Sequence, residues 1–86
     1  MNQSNIMYYV YLLKSLNFPD KVYIGYTANP SKRIEEHNSG DVIYTSKYRP
    51  WEFIVQIGFK NKNKAIEFEK YLKSGSGNAF ASKRLR

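Results

Sequence analysis

Three stretches of the chain are rich in β-branched and aromatic residues, and each is bounded by turn chemistry. The first, Met7-Tyr8-Tyr9-Val10-Tyr11-Leu12-Leu13, runs into Ser15-Leu16-Asn17-Phe18-Pro19-Asp20, the composition of a strand that stops at a loop. Val22-Tyr23-Ile24-Gly25-Tyr26-Thr27 reads as a second strand, so the pair predicts a hairpin. Side chains alternate across a strand. Val10, Leu12, Val22 and Ile24 therefore share one face, while Tyr9, Tyr11 and Tyr23 take the other, beside the bare backbone of Gly25. Trp51 to Phe59 reads as a third strand.

Helix signals lie between and after the strands. Asn29-Pro30 combines an N-cap with proline at the first helical position, where a missing N–H costs nothing. That helix runs through His37 and stops near Asn38-Ser39-Gly40, with Gly40 as its left-handed cap. Arg33 and His37, four residues apart, fall on one helical face. Asp41 to Pro50 reads as a polar loop. Asn63 caps a second helix over about Lys64 to Ser74, closed by Gly75. At about 100° per residue its Ala65, Ile66, Phe68 and Leu72 gather on one side. Glu69 falls inside this apolar arc and Glu67 outside it. An inward carboxylate needs a partner, because desolvating a lone charge is costly. A short helix over about 78–86 ends the chain, with Phe80 and Leu85 packing back. The order β-β-α-β-α-α predicts one α+β domain over residues 1–86, with its core over about 7–73: a small three-stranded, largely antiparallel sheet flanked by helices.

Composition narrows the chemistry. No cysteine is present, which removes disulfides, thiolate zinc sites and cysteine nucleophiles. A single histidine excludes a multi-histidine metal site. Fourteen Lys+Arg against seven Asp+Glu leave a net charge of +7, the footprint of a phosphate-backbone partner. The longest apolar run, Ile6 to Leu13, has eight residues, far fewer than the roughly 20 that span a bilayer. Met1 to Asn5 has no basic leader region. These features predict a soluble cytoplasmic protein.

Tyr9-Val10-Tyr11 and Tyr23-Ile24-Gly25 stand one short hairpin apart, with Arg33 ten residues past Tyr23. His37-Asn38-Ser39-Gly40 and the inward-facing Glu69 follow in order. This arrangement resembles the GIY-YIG nuclease superfamily, in particular small stand-alone members related to the excision-repair incision nuclease domain. The resemblance implies metal-dependent hydrolysis of nucleic-acid phosphodiester bonds, most readily in DNA and its repair. It makes Tyr23 the general base or the group that orients the attacking water, with Tyr11 supporting it by hydrogen bonding. Arg33 neutralises phosphate charge, and Glu69 binds one Mg²⁺ or Mn²⁺ ion. His37 assists proton transfer or contacts phosphate.

The residues' own chemistry fits these roles. A phenol with a pKa near 10 is a poor base in water, and neighbouring cations favour its phenolate. Arginine offers planar paired donors to phosphate oxygens. One carboxylate suits Mg²⁺, which keeps most of its waters. The chain also departs from the family pattern. Tyr26 stands where some members carry a lysine, which leaves that role unfilled or shared with Lys32, and the first tripeptide is Tyr-Val-Tyr in place of Gly-Ile-Tyr.

Lys32, Lys47, Arg49, Lys73 and Asn78 are the expected nucleic-acid contacts. Asn78 is also the nearest counterpart of an asparagine that some members place after the glutamate helix. Gly75-Ser76-Gly77-Asn78 reads either as a phosphate-binding nest or as an ordinary helix-to-helix turn. No recognition helix that would read base edges stands out. The pattern therefore favours a structure-selective or weakly selective nuclease that takes specificity from a protein partner. A non-catalytic basic module using exposed tyrosines and lysines and a domain that meets an acidic protein are the competing readings.

Overall fold

The computed structural model describes residues 6–86; the reading of Met1 to Asn5 lies outside the described residues. The elements are β1 (Tyr8–Ser15), β2 (Val22–Thr27), α1 (Pro30–Ser39), α2 (Ile43–Ser46), β3 (Trp51–Phe59), α3 (Lys62–Lys73) and α4 (Gly75–Arg84). The sheet has the order β2-β1-β3 and is antiparallel throughout. The predicted α+β architecture is present.

The most apolar strand takes the centre of the sheet. Paired on both edges and covered on both faces, β1 has Val10, Tyr11, Leu12 and Leu13 all at most 1% exposed. Alternation then divides the core in two. Val10 and Leu12 pack with Val22, Ile24, Ala65, Leu72 and Ala81. Tyr11 and Leu13 pack with Trp51, Tyr23 and Ile34 on the opposite face. The β1–β3 register shifts between Leu12 and Leu13, so that Leu12 opposes Val55 and Leu13 opposes Phe53. This shift puts Phe53 on the Tyr11 side while Ile54 and Val55 join the other core.

The start and stop of α1 follow the predicted chemistry. Asn29 Oδ1 accepts from the Lys32 N–H at 3.2 Å, and Gly40 caps the end at φ 92°. Elsewhere the structure corrects the expectations. The polar loop contains the four-residue α2, which has no side-chain N-cap. Asn61, two residues after β3 ends at Phe59, caps α3 by accepting from the Lys64 N–H at 3.0 Å, so the helix starts earlier than an Asn63 cap allows. Gly75 does not close α3; it opens α4, which begins earlier than the predicted 78. Ser74 serves both helices: its N–H donates to the Tyr71 carbonyl at 3.0 Å, and its Oγ accepts from the Gly77 N–H at 3.2 Å. Ile66 is only half-buried. Among the described residues no helix is long and apolar enough to cross a membrane.

Gly77 lets α4 lie close on the end of α3, because a Cβ there would collide with the backbone carbonyl of Tyr71. Gly75 has open space at the same point. Gly77→Ala is expected to cost about 1–3 kcal/mol through overpacking, lowering Tm by roughly 5–20 °C. Gly75→Ala is expected to cause no loss. Thermal melts of the two variants followed by circular dichroism test the contrast; equal Tm values would refute it.

Candidate active site

The site is built on a contact that only glycine permits. Tyr11 and Gly25 are directly opposed in the β1–β2 ladder, and a Cβ on Gly25 would run into the ring end and hydroxyl of Tyr11. The phenol thus lies down over bare backbone. Its hydroxyl meets His37 Nε2 at 2.8 Å. His37 is fully buried on the inner side of α1, and its Nδ1 lies 2.7 Å from Thr45 Oγ1 on α2. Thr45 gives its one hydroxyl proton to the Val42 carbonyl at 3.3 Å, so it accepts from His37 Nδ1–H. His37 Nε2 is then a lone pair, and Tyr11 donates to it. The Trp51 indole N–H closes the set on the Thr45 carbonyl at 2.8 Å. Asn38 ties α1 to β3 by accepting from the Trp51 N–H at 2.7 Å and donating to its carbonyl at 3.1 Å.

Burial sets the protonation of this pair. The His37 imidazole is pushed down to about 4, first by desolvation and then by the charge of Arg33. Desolvation raises the Tyr11 phenol to about 12, against the pull of Arg33 and with the help of Tyr23 and Glu69. Both rings are therefore neutral at pH 7. Arg33 lies toward the rim of α1 and binds Glu36 Oε1 at 2.8 Å. That carboxylate and the Tyr11 oxygen hold the guanidinium firmly cationic, while Arg33 in turn lowers the Glu36 carboxyl.

Tyr23 packs against the cluster, and Glu69 stands within charge range of it. Tyr23 is half-buried, with its ring 6.3 Å from Tyr11 and 4.9 Å from His37. Among the described residues its hydroxyl has no hydrogen-bond partner. Glu69 has a side chain 20% exposed and binds Lys73 Nζ at 2.9 Å. Its carboxylate is close enough for its charge to act on Tyr11. Among the described residues no three acidic, histidine or cysteine side chains form a metal cluster. A lone carboxylate beside phenols and a guanidinium fits an ion that retains waters and takes substrate oxygens, as Mg²⁺ or Mn²⁺ does. It does not fit a metal that demands a full protein cage.

The other expected residues are more dispersed. Lys32 lines a groove with Tyr26, Thr27, Asn29, Arg33 and Glu36. Lys47 and Arg49 are exposed after α2, with Arg49 Nε donating to the Ser46 carbonyl at 2.9 Å. Lys73 is engaged by Glu69. Asn78 is exposed in the first turn of α4, where its N–H donates to the Ser74 carbonyl at 2.8 Å. The Gly75–Asn78 stretch is thus a capped helix start, not a loop nest. Two hydrogen-bond partners of Arg33 and His37, namely Glu36 and Thr45, escaped the sequence reading. Glu36 has a local signal, three residues from Arg33. Thr45 has none.

Residues 7–83 match the GIY-YIG catalytic domain. The chain belongs to the GIY-YIG family. It is 44% identical over 69 residues to the structure-specific endonuclease subunit SLX1 of Debaryomyces hansenii, covering 72% of this chain and 20% of that protein. It is 40% identical over 76 residues to the SLX1 homolog of Drosophila mojavensis, covering 78% of this chain and 25% of the relative. The chain thus spans a fifth to a quarter of these relatives. The GIY-YIG fold also appears in the NMR structure of the UPF0213 protein BH0048 from Bacillus halodurans, with a TM-score of 0.55 and 27% identity. That likeness covers 93% of this chain and 87% of the other.

The lowered His37 pKa carries a stability consequence. The unfolded imidazole takes up its proton near pH 6.5, the folded one only near 4, so the unfolded state holds more protons in between. This contribution to stability is complete above about pH 6.5 and is lost as the pH falls through 4, on the order of 3 kcal/mol in all. An NMR titration of the His37 ring is expected to show a midpoint near 4. A midpoint near 6.5 would overturn the buried, neutral assignment.

Proposed function

We propose that this chain is an endonuclease domain that hydrolyses DNA phosphodiester bonds at branched or distorted sites. The observation that carries the reading is a Tyr11 hydroxyl fixed by His37 and bonded by Arg33, with the Tyr23 ring beside it and the Glu69 carboxylate within range for its charge to act. The names of the relatives, structure-specific endonuclease subunits, support the choice of substrate and the need for a partner protein that supplies specificity. The absence of cysteine suits a reducing cytoplasmic setting.

Tyr23, whose unpartnered hydroxyl reaches solvent, orients the attacking water; as a phenolate, its own proton released to solvent, it accepts the water's proton. Tyr11 is a positioning residue. It gives its proton to His37 and turns its oxygen toward Arg33, which donates to the non-bridging phosphate oxygens. His37, with both ring nitrogens engaged inside the fold, acts through Tyr11 and not on phosphate. GIY-YIG nucleases in general depend on a divalent metal. Glu69 is the residue that would hold Mg²⁺ or Mn²⁺, which supplies Lewis-acid charge at the phosphate when bound. Lys73, once released from Glu69, joins Lys32, Lys47 and Arg49 along the backbone, where contacts give salt-dependent affinity with little sequence preference.

Labelled duplex, single-stranded, flap and four-way DNA, each with Mg²⁺ or with chelator, test this reading. Cleavage is expected on the branched forms with metal only. Tyr23→Phe and Glu69→Gln are each expected to reduce it by about 100-fold or more, with binding kept within a few-fold. Cutting that persists in chelator and in both variants would defeat the proposal. DNA binding without cleavage by the unaltered chain would leave the non-catalytic module.

A further inference from the structure

Two of the most exposed apolar side chains stand beside the site and have no role in it so far. Ile43 is 84% exposed and Tyr44 60% exposed, adjacent on α2. The Tyr44 ring lies 6.1 Å from the ring of Tyr23, tilted by 34°. Leaving such groups in water forgoes burial, and here the segment is held, not loose. Thr45, the next residue, is fully buried; its hydroxyl joins His37 to the Val42 carbonyl, and its own carbonyl accepts from the Trp51 indole. The buried residue anchors the four-residue helix while its neighbours project outward. Exposed Lys47 and Arg49 follow directly, supplying positive charge on the same segment.

Resting on the nuclease reading, we propose that Ile43 and Tyr44 form a wedge that stacks on a nucleobase next to the scissile phosphate. An aromatic face flanked by cations matches a base with its phosphates, and stacking tolerates any sequence. A base within a continuous duplex is already stacked between neighbours, so its face is not available. The wedge therefore selects DNA with an unpaired or unstacked base at the cut, as at a branch point. This gives structural selectivity a place in the fold: α2 rewards the junction, while the Arg33 and Glu69 side holds the phosphate. Lys47 and Arg49 then serve the phosphates flanking the stacked base.

Binding in chelator, without cleavage, tests the wedge directly. The probe is flap DNA with 2-aminopurine at the branch-point nucleotide, compared with intact duplex of the same sequence. The unaltered chain is expected to quench the 2-aminopurine emission. Tyr44→Ala is expected to leave it bright and to weaken flap binding about tenfold, with duplex binding changed less than about twofold. Ile43→Ala should act in the same direction more weakly, and Tyr44→Phe should restore both signals. With metal present, Tyr44→Ala should raise KM for the flap more than it lowers kcat. An unchanged flap-to-duplex ratio in Tyr44→Ala overturns the wedge and leaves this face to a protein partner, even if cleavage is intact. Equal losses on flap and duplex also overturn it, pointing to mere support of Tyr23. Quenching by a chain that cleaves nothing keeps the wedge and removes the nuclease reading instead.

Discussion

The hydrogen bond from the Tyr11 hydroxyl to His37 Nε2 is the constraint around which the molecule is arranged. It needs a central strand that buries Tyr11, a glycine across the ladder that lets the ring lie flat, and a helix whose caps aim position 37 inward. It also needs a threonine on the next segment to take the other ring nitrogen. Among the described residues no buried side-chain polar atom lacks a partner. In a region of low dielectric such a closed set is rigid, and losing any member strands a buried donor or acceptor at a cost of about 1–3 kcal/mol. Gly25, Thr45, Asn38 and Trp51 contribute to the site through this bond, although none of them need touch a substrate.

The same burial separates two chemically identical phenols. Tyr11 is inside, pushed up to about 12, and so remains a neutral donor. Tyr23 stands at the rim with its hydroxyl open. The working charges are also at the rim, and each rests against a counterion from its own helix: Arg33 on Glu36 and Glu69 on Lys73. Partly exposed ion pairs of this kind are worth about 0–1 kcal/mol. If the proposed roles hold, exchanging Glu36 for phosphate or Lys73 for a metal is therefore cheap, whereas ionising the buried Tyr11–His37 pair is not. The interior supplies geometry and the rim supplies charge that can be reassigned.

Much of this was legible in the sequence, for physical reasons that vary by element. The period-two alternation gave the strand faces, and β3 has the bounds that its apolar run implies. Asn29-Pro30 and Gly40 mark α1 because their backbone preferences act locally. Asn61 and Asn63 are equally good caps by composition, and only the position of the chain as it leaves β3 decides between them. Gly75 looks like a helix end until Ser74 is seen to cap the next helix. The pairing of Arg33 with His37 on one face was correct as geometry but silent about depth. One residue is at the rim, lining a groove, and the other is sealed, because Tyr11, Tyr23 and Thr45 close over His37 alone. Thr45 was invisible, since its role depends on a contact eight residues away and on no local pattern.

The α1–β3 connection shows how a small domain separates requirements that would otherwise conflict. On the proposed reading, a catalytic cluster has to be rigid, while a surface that chooses among DNA shapes benefits from freedom to vary. In α2 the two demands fall on opposite sides of a single turn. Thr45 faces inward, where a change breaks the His37 bond and with it the placement of Tyr11. Ile43 and Tyr44 face outward, where a change leaves every buried hydrogen bond intact. Because the inner residue fixes the turn, the outer pair is presented at a set distance from Tyr23 without help from its own packing. Under that proposal, substrate preference can be tuned on one side of a four-residue helix while the reacting groups stay in place on the other.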